Sequence, residues 1–162
     1  MIGFSFRETM QGRFFLLSDP LVERKLTFSL VAQAQHLRRF ALDKTCRITG
    51  HVTAEGLATE QPLVGTLKLL VLHERRLPYR FTFKGDNGEP LSFVGQKEFS
   101  PLAPIQTMTD LPGYLYDGAD IEIARAKVHF DIANDLGHFL RSFRPGLSFD
   151  NLLRRKGAGD AR

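Results

Sequence analysis

The sequence predicts a mostly β protein: an antiparallel barrel of about eight strands with two or three short helices. Three observations point there. Apolar and polar residues alternate with a period of two through much of the chain, which places one face of each segment on a core. Short apolar runs recur between turns rich in Gly, Pro, Asn and Asp, the rhythm of a sandwich or barrel. Closing the sheet also removes exposed strand edges. An open α+β sheet with helices on one face is the alternative.

The clearest element is a hairpin over Pro78–Phe99. Tyr79, Phe81 and Phe83 alternate with Arg80, Thr82 and Lys84. Gly85-Asp86-Asn87-Gly88 supplies a tight turn, and Leu91, Phe93 and Gly95 then alternate with Ser92, Val94 and Gln96. Gly and Asn adopt the positive φ that such turns need. A lone hairpin is not stable in water, so further strands must flank it.

From the N-terminus, Phe4–Leu17 reads as two short strands, or one bent at Gly12. Alternation sets Glu8 on the face of Phe4, Phe6 and Met10. A carboxylate facing a core has a raised pKa or a basic partner. Glu8 is therefore a ligand contact or general base, or else a structural residue at a register change or in an ion pair. Ser18–Arg24, with Asp19-Pro20, reads as a loop, and Lys25–Ala32 as a strand with Leu26, Phe28 and Leu30 inward. Gln33–Asp43 reads as a helix with Leu37, Phe40 and Ala41 on one face.

Cys46–Glu55 is a strand with Cys46, Ile48, Gly50, Val52 and Ala54 on one side. Cys46 is expected to be a small buried residue, since nothing nearby supplies a base. Gly56–Pro62 reads as a turn. Leu63–Glu74 reads as a long strand, apolar on both faces and so covered on both. Ile105–Tyr116 is expected as a lid-like or core-covering excursion turning at Pro112-Gly113. A turn at Asp117-Gly118 then leads into a strand over Ile121–Ile132, with Val128, Phe130 and Ile132 inward and His129 and Asp131 outward. Asn134–Phe143 reads as a helix ended by Pro145 and Gly146. Leu26–Phe40 and Val128–Phe143 share a strand-then-helix pattern, a short internal similarity.

At 162 residues the chain fits one domain over residues 1–150, followed by a basic, frayed tail over 151–162. Its 43% apolar and 25% charged residues are those of a folded protein. Much of the formal +4 charge lies in the tail, at Arg154, Arg155, Lys156 and Arg162, so no basic stripe marks a nucleic-acid binder. One cysteine, no signal-peptide pattern at Met1–Arg7 and no integral membrane segment give a cytoplasmic expectation. His51 and His73 have no partners at ligand spacing, so neither metal nor cofactor is expected.

The opening Phe4-Ser-Phe-Arg-Glu8-Thr-Met10-Gln-Gly12 carries an F-x-E-x-M-x-G pattern. It resembles the start of a small bacterial accessory domain found with cholesterol-oxidase-like flavoproteins of the glucose–methanol–choline group. Segments Phe28–Phe40, Gly85–Lys97 and Phe130–Arg144 are similar to it as well. The flavin-binding Gly-x-Gly-x-x-Gly fingerprint is absent, so no oxidase residue carries over. The resemblance implies a standalone accessory domain linked to steroid or lipid metabolism, with an oxidoreductase as partner.

Fourteen Phe and no Trp suggest an aromatic interior. The expected function is a non-catalytic binding domain of calycin-like plan. Its small apolar, lipid- or sterol-like ligand would lie against Phe4, Phe6, Glu8, Phe28, Phe81, Phe83, Phe93 and Phe130. Two alternatives stand beside it: an interaction module or homodimer with a filled core, and a small barrel enzyme using Glu8.

Overall fold

In the computed structural model, the described residues are 2–70, 73–98, 100, 102, 109–130 and 144–147; of residues 2 and 144–147 only the backbone is described. Strands β1 (Ile2–Leu16) and β2 (Asp19–Ala34) precede helix α1 (Leu37–Asp43). Then follow β3 (Thr45–Ala54), β4 (Ala58–Lys68), β5 (Arg76–Lys84), β6 (Pro90–Glu98), β7 (Asp110–Tyr116), β8 (Glu122–His129) and β9 (Arg144–Leu147). Each of β1–β8 pairs antiparallel with its neighbours in sequence, and β8 pairs with β1. The result is a closed, up-and-down, eight-stranded barrel. Its ninth strand, β9, lies against Ile2–Ser5.

Alternation drives this closure. Along β5, Leu77, Tyr79, Phe81 and Phe83 are buried, whereas Arg80, Thr82 and Lys84 are exposed. The same pattern on β2, β3, β7 and β8 turns Leu26, Phe28, Leu30, Ile48, Val52, Leu111, Leu115, Ala124 and Val128 into one core. The predicted hairpin is present, with Tyr79 opposite Gly95 and Phe81 opposite Phe93.

Several boundaries differ from the expectation. Of the two readings of the first segment, one strand rather than two is present: β1 runs through Gly12. There the barrel wall closes so tightly that a Cβ would lie 2.1 Å from the Lys127 carbonyl oxygen. Residues 18–24 are not a loop: Leu17-Ser18 forms the turn and β2 begins at Asp19, with a register shift between Phe14 and Leu16. The helix starts only at Leu37, because Gln33 and Ala34 still pair with Ser5 and Phe4. β4 covers Ala58–Lys68 rather than 63–74. It is not covered on both faces, since Val64 is exposed on the outside of the wall. Pro112-Gly113 is no turn but the middle of β7, paired with Lys127 and Ala126. Likewise, Pro145-Gly146 lies within β9. The expected helix over 134–143, Ile132, Asp131 and the tail fall outside the described residues. Among the described residues there is one helix, not two or three.

Candidate functional site

Among the described residues, two charged side chains are buried inside this barrel, Glu8 at 6% exposure and Lys97 at 2%. They come from strands far apart in sequence. On β1 the alternation places Phe6, Glu8 and Met10 inward, with Arg7 and Thr9 outward. On β6 it places Leu91, Phe93, Gly95 and Lys97 inward. Glu8 Oε1 accepts from Lys97 Nζ in an ion pair. Its other oxygen, Oε2, accepts from the Tyr79 hydroxyl at 2.7 Å. The ammonium also sits 5.2 Å from the Tyr79 ring centroid and 6.0 Å from that of Phe130, within cation–π range. Burial, then the Glu8 charge and its hydrogen bond, push the Tyr79 phenol well above its ordinary value, so it is a neutral donor at physiological pH.

The local strand pattern explains why the cluster forms here. Gly95 stands opposite Tyr79 in the β5–β6 ladder, two residues before Lys97 on the same inward face. The β6–β7 ladder ends at Gly95–Gly113. On the other side, among the described residues β8 pairs with β1 over Gln11–Leu16 and β9 pairs with it at Ile2–Ser5. Glu8 therefore lies where these ladders part, towards the barrel end that carries α1.

The expected aromatic lining divides into two parts. Phe28, Phe81 and Phe93 pack on one another with centroids 4.9 to 5.7 Å apart, inside the barrel. Phe93 occupies the room left by two glycines. A Cβ at Gly113 would meet its ring at 2.3 Å, and one at Gly95 at 2.8 Å. Phe6 stacks with Phe4, whose ring meets Phe40 of α1 edge-on at 5.0 Å, and Phe130 lies beside Lys97. Phe83 lies four residues along β5 from Tyr79, about 13 Å towards the opposite end, so it does not share a site with Glu8. Phe4, Phe6, Phe130 and Glu8 thus gather at one end, while Phe28, Phe81 and Phe93 form the floor beneath them.

Lys97 and the polar role of Tyr79 are missing from the sequence reading. Extending the Leu91-Phe93-Gly95 alternation by one step would have turned Lys97 inward, onto the same side as Glu8. The remaining candidates do not converge. Cys46 is fully buried, and burial followed by the Asp43 charge pushes its thiol up to about 12, which keeps it protonated. His51, His73 and His129 are exposed. Among the described residues no group of His, Cys, Asp or Glu could hold a metal ion, and no helix is long and apolar enough to cross a membrane.

No family model, no curated protein and no solved structure matches this chain.

Proposed function

We propose that the protein is a non-catalytic binding barrel of calycin-like plan. Its ligand is a small amphipathic molecule, lipid- or sterol-like in its apolar part, received at the α1 end. One observation carries this reading: the Glu8–Lys97–Tyr79 cluster inside an otherwise apolar barrel. Filling a core with apolar side chains is at least as stabilising as burying an ion pair. Ligand pockets, by contrast, combine an apolar wall with a few placed polar groups that orient the guest. Here Phe4, Phe6 and Phe130 supply apolar surface and the cluster supplies both a donor and an acceptor. The packed Phe28–Phe81–Phe93 floor limits the ligand to that end. An oxidoreductase partner, suggested by the F-x-E-x-M-x-G resemblance, belongs to this reading.

The filled-core interaction module is the second reading, and the same three-ring floor favours it. Catalysis by Glu8 has less support, because both of its oxygens are already engaged by Lys97 and Tyr79.

Native mass spectrometry of the purified protein separates the two readings. A co-purifying amphipathic molecule, or one-to-one uptake from a panel of fatty acids and sterols, is the expected result. A clean apo mass with no uptake overturns the ligand reading in favour of the filled core.

A further inference from the structure

A concavity lies on the outside of the barrel, away from the Glu8 cluster. It has a volume of about 340 Å³ and is lined by Arg80, Thr82, Ser92, Val94, Tyr116 and Asp120. The register explains the grouping. Thr82, Ser92 and Tyr116 form one cross-strand row over β5, β6 and β7, with Arg80 and Val94 paired in a neighbouring row. Asp120 reaches the same place from the β7–β8 turn. That turn is pinned by Asp117, whose Oδ1 accepts from the Ala119 and Ile121 amides at 2.9 and 3.0 Å. Asp120 itself sits in the left-handed region at φ 59°.

The lining holds opposite charges that do not meet. Among the described residues, Arg80 and Asp120 form an ion pair neither with each other nor with another side chain, although both border the concavity. A fork of donors and a carboxylate acceptor are thus held apart across a space, with the Ser92 hydroxyl and the Tyr116 ring beside them.

We propose that this concavity binds a neutral saccharide. Its C–H face lies on Tyr116 and Val94, and its hydroxyls bridge Arg80, Asp120 and Ser92. The charge balance disfavours an ion of a single sign, and the Tyr116 ring and Val94 favour a guest with an apolar face. An anion such as a phosphate would face Asp120, and a cation would face Arg80. A purely apolar guest would desolvate several polar groups without replacing their hydrogen bonds. A polyol with one apolar face donates to the carboxylate and accepts from the guanidinium at once, while its ring packs on an aromatic surface.

The test is a ¹H–¹⁵N NMR titration of the intact protein with glucose, galactose, mannose and N-acetylglucosamine, and separately with inorganic phosphate. At least one sugar is expected to shift the amides of the six lining residues with a Kd in the millimolar range. Tyr116→Ala should weaken that binding about tenfold or more, the loss of one aromatic contact. Asp120→Asn keeps a hydrogen-bonding side chain and should weaken it less. Amide shifts away from the concavity serve as the check on folding in both variants. The proposal fails if none of the four sugars moves these amides at about 50 mM, far above a millimolar Kd. It also fails if phosphate alone does so, or if Tyr116→Ala folds and binds unchanged.

Discussion

Glu8 has two carboxylate oxygens and both are occupied, one by a cation and one by a phenol. That arrangement decides how each partner responds to substitution. Lys97→Met strands a buried carboxylate and should cost about 3–5 kcal/mol in urea unfolding. Glu8→Met combined with Lys97→Met removes both charges and should recover most of that loss. If the double variant also takes up no ligand that the parent binds, the cluster is a recognition element rather than only a structural one. Tyr79→Phe removes a hydrogen bond to a charged acceptor and should cost about 1.5–3 kcal/mol. The phenol also sets the alkaline limb. Its folded pKa lies above the unfolded value near 10, so its contribution is complete below that pH and is lost as pH rises beyond it. Cys46, raised to about 12, acts in the same direction. Through these two groups, stability should begin to fall at about pH 9–10, and Tyr79→Phe should flatten the decline above pH 10.

Pairs of elements are held by matched shapes. β6 and β7 place Gly95 opposite Gly113, and the Phe93 ring fills the space left by both. Gly113→Ala puts a methyl group into the Phe93 ring, which already packs against Phe28 and Phe81. Overpacking of this kind should cost about 3 kcal/mol, measured as a lower denaturation midpoint. On the barrel end away from α1, the Asp86 carboxylate ties the β5–β6 turn to the start of β4. Its carboxylate accepts from the Thr59 amide at 2.8 Å, the Thr59 hydroxyl at 2.9 Å and the Gln61 side chain at 3.2 Å. The Thr59 amide, then the side chains of Gln61 and Thr59, hold its pKa below the usual carboxylate value. Its contribution is therefore present above the unfolded value near 4 and is lost as pH falls through the lower folded one. Asp86→Ala should lower Tm at neutral pH, and the difference from the parent should shrink in acid.

As a whole molecule, the barrel is closed by joining β1 to β8, whose residues lie more than a hundred positions apart in the chain. The pairing with β2 is local, whereas the pairing with β8 must wait for the intervening strands. Such non-local closure should place refolding in the millisecond-to-second range, read by stopped-flow fluorescence of the tyrosines. An amphipathic guest that binds only the closed barrel should raise Tm with concentration, by about 2.7 kcal/mol of stabilisation at a hundred times its Kd.

Period-two alternation was enough to read the class of fold, the hairpin at Pro78–Phe99, the inward faces of β1, β2, β3, β5, β6 and β8, and the unusual position of Glu8, but not the inward faces of β4 and β7. What was legible follows from a period that is local and is written directly in the order of residues. Phe28, Phe81 and Phe93 were legible as interior for the same reason. Only the tertiary structure shows that these three rings pack on one another, with centroids 4.9 to 5.7 Å apart. It also decided that Glu8 meets Lys97 and Tyr79, because partners 89 and 71 residues away are set by register and closure. The strand at Pro112-Gly113 was hidden by residues that usually mark turns. There Pro112 is exposed on the outer face of β7, while Gly113 yields its interior space to the Phe93 ring, a fit between strands that no local pattern encodes.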